Sequence, residues 1–184
     1  MILKNEFYEI DIKEDEAYVV NSPDTKGYDF HWNPKGYTKD DVYRTFSIEV
    51  KGKNEARIAL TGNYYSYPEN CAILEENRLI VLQNYNIRII DLEKMCLLQG
   101  YYVEDMACNF GIYRIADGYI IHGEIEIKKL NLQFEKIWSF GGRDIFVNPN
   151  GKKEFEIAEK TIKLYDFEDN YYEIDFDGKE IKSN

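Results

Sequence analysis

The sequence predicts an all-β protein, and three observations carry that expectation. Apolar and polar residues alternate in short runs, no segment sustains a 3.6-residue period, and a four-strand pattern recurs through the second half of the chain. The expected architecture is antiparallel four-stranded, blade-like repeats: a partial or open propeller-like array with N-terminal hairpins. A β-sandwich is the alternative. The 184 residues suit a single domain, 1–184. Within it, 1–66 are expected to hold the N-terminal hairpins and a long loop, and 71–107, 108–142 and 143–182 the repeats.

In the N-terminal part, residues 7–12 alternate and are followed by an acidic turn at 13–16, with 17–20 returning as a partner strand. Residues 46–50 and 56–60 form a second hairpin across the turn 51–54. The stretch between the hairpins, 21–41, is rich in Asn, Pro, Asp and Gly and is expected to be a long loop that packs on the body or carries function. Residues 40–44 suit one helical turn.

The repeats rest on three segments: Ile87-Arg88-Ile89-Ile90-Asp91-Leu92, Ile127-Lys128-Lys129-Leu130-Asn131-Leu132 and Ile162-Lys163-Leu164-Tyr165-Asp166-Phe167, at offsets of 40 and 35 residues. A strand-like run precedes each (79–82, 119–122, 155–158), and an apolar position follows six residues after each Asp or Asn (Leu97, Ile137, Tyr172). A first strand opens each copy at 71–74, 112–115 and 145–147. The turns have the required chemistry. Glu76-Asn77, Asp117-Gly118, Asn148-Pro149-Asn150-Gly151 and Asp177-Gly178 supply residues that tolerate positive φ or preset a turn. Three copies are too few to close a propeller, and an open end needs a cap.

Charge narrows the function. Lys and Arg total 23 against 34 Asp and Glu, a formal net charge of −11. Binding to nucleic acid or an anionic membrane needs a basic footprint, so neither partner is expected. The first 20 residues show no basic segment followed by an apolar run, and the longest aliphatic run is Leu79-Ile80-Val81-Leu82. A cytoplasmic protein is the expectation. Cys71, Cys96 and Cys108 form no CxxC pair, so reduced structural cysteines are expected.

No motif fixes a chemistry. His31 and His122 are the two histidines, too few for a His-rich metal site. No GxSxG elbow marks a nucleophile. Glu173-Ile174-Asp175-Phe176-Asp177-Gly178 superficially matches a calcium loop, but its twelfth position is Asn184, so a strand entering a turn is expected. Gly141-Gly142-Arg143 suits a turn, not a phosphate loop. The expectation is a non-enzyme without metal or cofactor.

Acids and aromatics remain. Residues 166–180 hold seven acids and one base, and 6–16 hold six against one. Aromatics gather at Tyr28, Phe30 and Trp32, at Tyr64, Tyr65 and Tyr67, and at Tyr101-Tyr102 beside Glu104-Asp105. Tyrosine joins large contact area to low rotamer entropy and suits interfaces. An acidic, aromatic surface suits an immunity-type inhibitor of a basic, nuclease-like toxin, because opposite fields speed encounter. The expected partner is therefore a toxin domain, met by Phe30, His31, Trp32, Tyr101, Tyr102, Glu104 and Asp105. The alternative is a cytosolic carbohydrate- or small-ligand-binding β-domain, and a scaffold of stacked sheets is a third possibility.

Three stretches carry a resemblance: 109–113 (NFGIY), 118–127 (GYIIHGEIEI) and 162–172 (IKLYDFEDNYY). They resemble small uncharacterised bacterial β-rich proteins with propeller-like repeats, some found alongside polymorphic or contact-dependent toxins as immunity proteins. The resemblance spans about 70–182 and is weaker over the N-terminal third. Its motifs are structural, so it implies an immunity role and carries over no functional residue.

Overall fold

The computed structural model describes all residues except 24, 26, 65–68 and 104–106. The described residues form strands and turns with no helix. The chain divides into two compact units, Met1–Glu104 and Asp105–Asn184. Each holds two sheets, and the fold is that of antiparallel, propeller-like blades preceded by an N-terminal sheet.

The first sheet of unit one contains β1 (Ile2–Lys4), β2 (Tyr8–Glu14), β3 (Phe30–Trp32), β4 (Arg44–Gly52) and β5 (Ala56–Gly62), in the order β1-β2-β4-β5-β3. The second contains β6 (Ala72–Glu75), β7 (Arg78–Gln83), β8 (Asn86–Asp91), β9 (Cys96–Leu97) and β10 (Tyr101–Tyr102), with β9 and β10 both pairing with β8. Alternation sends one side of each strand inward. Ile10, Ile12, Ile48, Ile58 and Leu60 of the first sheet join Leu79, Val81 and Ile90 of the second in one core. Full burial of each such side chain stabilises the fold by about 1.5–3 kcal/mol. Asn54 Nδ2 stitches the sheets by donating to Leu92 O at 2.8 Å.

Unit two repeats the plan with β11 (Asn109–Ile115), β12 (Gly118–Gly123), β13 (Glu126–Asn131) and β14 (Lys136–Gly141), then β15 (Phe155–Ile157), β16 (Thr161–Tyr165), β17 (Tyr171–Asp175) and β18 (Glu180–Ser183). Both sheets run in sequence order, antiparallel throughout. Ile120 and Ile127 share a core with Phe146, Ile162, Leu164, Tyr172 and Ile174.

The structure corrects the frame of the last repeat. Residues 145–147 are not a strand, and the last sheet opens at Phe155. The cause is a turn that the last repeat uses twice, at Asp166 and at Asp175. Asn131 Oδ1 accepts from the N–H groups of Gln133 and Glu135, both at 2.9 Å, and Asn131 N donates to Glu135 O at 2.9 Å. Asp175 does the same with Asp177 and Lys179, and Asp166 with Glu168 and Asn170. Asp91 caps a variant of this turn by accepting from Glu93 and Lys94. The fourth residue of the three matching turns has positive φ: Phe134, Asp169 and Gly178. Asp91, Asn131 and Asp175 each end the third strand of a sheet, whereas Asp166 follows the second strand of the last one. The motif at 162–167 therefore matches by its turn, not by its place in the sheet.

Three N-terminal expectations also change. Residues 17–20 form no strand. β2 pairs instead with β1 and β4, while Tyr18 and Val20 are buried against Ala59. The stretch 21–41 is not wholly loop, because Phe30–Trp32 adds a parallel strand beside β5. Residues 40–44 form no helical turn. Asp41 Oδ2 instead accepts from Thr38 N at 2.7 Å, and β4 begins at Arg44.

Candidate functional site

A groove of about 390 Å³ opens on unit one, where the loop after β3 meets the second sheet. Tyr37, Tyr85 and Tyr102 supply its aromatic surface, and Asn63 and Asn86 its amides. Lys35 and Asp41 stand at the loop side.

Local sequence explains how Tyr37 is presented. In Asn33-Pro34-Lys35-Gly36-Tyr37, Asn33 clamps the far end of the turn, donating from Nδ2 to Tyr37 O at 2.7 Å and accepting from Tyr37 N at 2.9 Å. Gly36 takes the positive φ the turn requires, at 71°. Asp41 is committed to the loop, since its carboxylate also accepts from Thr38 Oγ1 at 2.9 Å. These bonds hold it below its ordinary pKa. Tyr85 and Asn86 come from the β7–β8 turn, with Asn84 at φ 49°. Tyr102 lies opposite Asn86 across the β10–β8 pairing. The residue is 64% exposed, unusual for a large aromatic and the most prominent feature of the groove.

The residues expected at the site are divided by the fold. Phe30 and Trp32 turn inward and pack against the core, their rings 5.3 Å apart. His31, between them on β3, points the other way and is exposed, as strand alternation requires. Its Nδ1 lies 2.9 Å from Tyr18 Oη, and its ring contacts Tyr28. Tyr28 donates to Asp15 Oδ2 at 2.5 Å and lies under the Arg57 guanidinium. Burial raises both tyrosine pKa values. Phe30, His31 and Trp32 therefore do not form one binding face. Tyr101 is half-buried on β10, and Tyr102 belongs to the groove. Glu104 and Asp105 lie outside the described residues, as do Tyr65 and Tyr67. Sequence reasoning missed Tyr37, Asn63, Tyr85 and Asn86. The turn-forming Asn33-Pro34-Lys35-Gly36 and Asn84-Tyr85-Asn86 are the signals that mark them.

The other chemical candidates occupy structural places. His122 is buried, stacked on Phe155 with ring centroids 4.6 Å apart, and burial pushes its pKa down to about 4. Cys71 is in the core of unit one, its thiol pushed up to about 12 by burial. The three cysteines form no disulfide. Among the described residues no group of three His, Cys, Asp or Glu is placed to hold a metal ion, and no helix is long and apolar enough to cross a membrane.

No family model and no curated protein matches the chain. Solved structures do. The computationally designed Ika8 protein aligns with a TM-score of 0.52 at 9% identity, over 78% of this chain and 46% of that one. The AfRom2 CNH domain aligns at 0.48 and 12% identity, over 78% and 47%. BamB from Moraxella catarrhalis aligns at 0.47 and 13%, over 77% and 45%. The chain thus spans about half the length of these structures. The likeness to Ika8 is one of fold alone. Fold and site together define an all-β protein of propeller-like blades with an open tyrosine groove on its first unit.

Proposed function

We propose that this protein is a protein-binding module of the immunity type, a cytoplasmic inhibitor that neutralises a basic, nuclease-like toxin. The observation that carries the reading is Tyr102, exposed at a groove it shares with Tyr37 and Tyr85 on a chain of net charge −11. Exposed tyrosines in a concave site are the kind of residue that anchors interfaces, and the acidic field favours fast capture of a cationic partner. The reading assigns no catalytic residue and no cofactor. Its test is co-expression with the product of the reading frame just upstream of its own gene. The expected result is a neighbour toxic alone, silenced by a stable complex that Tyr102→Ala weakens. A harmless or non-binding neighbour removes the reading.

The groove also favours a second reading, a site for a small ligand such as a carbohydrate. Its volume falls in the range of small-molecule sites, and it combines aromatic faces with amides that match hydroxyl groups.

A further inference from the structure

The groove at Tyr102 is lined by polar groups that the fold does not use. Elsewhere in the chain, turn asparagines spend their side chains on the backbone. Asn33 clamps Tyr37, Asn54 donates to Leu92 O and Glu93 O, and Asn131 accepts from Gln133 and Glu135. Asn63 and Asn86 line the groove, and among the described residues neither side chain makes an internal hydrogen bond. Nor do the hydroxyls of Tyr37, Tyr85 and Tyr102. Asp41 is committed through one oxygen. Both bonds from Thr38 fall on Oδ2, and Oδ1 accepts none among the described residues.

These groups share an electrostatic character. Tyrosine rings present faces of negative potential, the carboxylate carries charge, and the hydroxyl and amide oxygens are acceptors. Aromatic rings beside a carboxylate suit an organic cation. The whole chain adds its field, with 34 acids against 23 bases. The opposing charge is Lys35, exposed on the Asn33–Tyr37 turn, where a flexible stem lets its ammonium extend into water.

We propose that the groove receives an arginine side chain presented by a basic protein partner. A planar guanidinium stacks on a tyrosine ring, and its N–H donors suit the Asp41 carboxylate and the oxygens of Asn63 and Asn86. An ammonium is a compact, strongly hydrated charge and matches this set less well. Arginine is also enriched among the residues that dominate interface energy. This inference rests on the protein-binding reading of the groove.

The test is NMR titration of the full chain with end-capped Gly-X-Gly peptides, X being arginine, lysine or citrulline, the neutral isostere of arginine. The expected result is arginine binding roughly tenfold tighter than citrulline, with lysine between them. Tyr102→Ala should weaken arginine binding, and Tyr102→Phe should retain most of it. Asp41→Asn should shrink the preference over citrulline, and Lys35→Gln should tighten arginine binding. Citrulline or lysine binding as tightly as arginine overturns the inference. So does a preference that Tyr102→Ala leaves intact, or no binding of any peptide at millimolar concentration. The complex with the upstream neighbour is scored separately. A complex that forms while the groove ignores arginine removes the inference alone. A groove that selects arginine beside a harmless neighbour removes the immunity reading alone. The peptide comparison uses the unmodified chain, so it decides the matter even if a variant does not fold.

Discussion

The outer faces of the first and last sheets meet the same problem in different ways. Each sheet packs one face on its neighbour within its unit and must satisfy the other. The first sheet roofs part of its outer face with its own loop. Tyr18 and Val20 are buried against Ala59, with Tyr28 and Tyr43 packed beside them, and Tyr43 Oη accepts from Val20 N at 3.0 Å. The last sheet leaves its face open and charged. Glu156, Lys163, Glu173 and Lys182 lie in register across its four strands, so each charge has the opposite sign beside it. Beyond this row Tyr165 and Tyr171 pair, with the Lys152 and Lys182 ammonium groups over their rings. One face is closed by burial, which salt barely affects. The other is kept polar by opposite charges in cross-strand register, an attraction that salt weakens.

The sharpest way to break the contrast is Ala59→Asp. Ala59 is fully buried under the roof, so an unpaired carboxylate there should cost unit one more than about 3 kcal/mol. Urea unfolding followed by near-UV circular dichroism reads it, and a loss below 1 kcal/mol (the order of an ordinary surface change) would show that the loop does not seal the face.

Acid should next separate the units, because unit two contains the buried histidine. His122 is held neutral, with a pKa of about 4 against an ordinary value of 6.5. As pH falls through 6.5 the unfolded chain takes up a proton that the folded chain refuses, so stability declines between 6.5 and 4 and levels off below. The full difference amounts to about 3 kcal/mol. His122→Phe should flatten unfolding free energy against pH in that window. An unchanged slope would place the acid sensitivity elsewhere.

A smaller effect is expected in the charge row. Lys163→Glu puts like charges beside Glu156 and Glu173 and should cost about 1 kcal/mol at low salt, less at high salt. A salt-independent loss would mean that packing, not charge, maintains the face. Smallest of all, Tyr102→Ala should change stability by no more than about 0.5 kcal/mol, because its ring is mainly in solvent. A larger loss in thermal unfolding would make Tyr102 a structural residue and weaken both readings of the groove.

These contrasts also show what the sequence made legible. Short-range hydrogen bonds were readable. The β4–β5 hairpin and the three blade-like sheets announce themselves through alternation and through Asn, Asp and Gly at the turns. The last frame was misread because Asp166 and Asp175 make the same turn nine residues apart, and a turn motif does not say which strand it follows. The strand Phe30–Trp32 was hidden because three residues carry too little periodicity, and its partner β5 lies far along the chain. The groove was partly legible. Tyr102 was visible as an aromatic beside acids, whereas Tyr37 and Asn63 join it only through long-range packing.

The repeated Asx-type turn has a kinetic consequence. Within each sheet of unit two every strand pairs with its immediate successor, so each hairpin can close over a handful of residues, and the Asx-type turns after β13, β16 and β17 stabilise their own closure. Such a unit should collapse hairpin by hairpin on the microsecond scale of local closure. The first sheet has local hairpins at β1–β2 and β4–β5, but β2 waits for β4 across about three tens of residues, and β3 waits for β5. During synthesis from the ribosome the first sheet to emerge is therefore the slower to assemble, and its apolar strands are the ones a chaperone would meet.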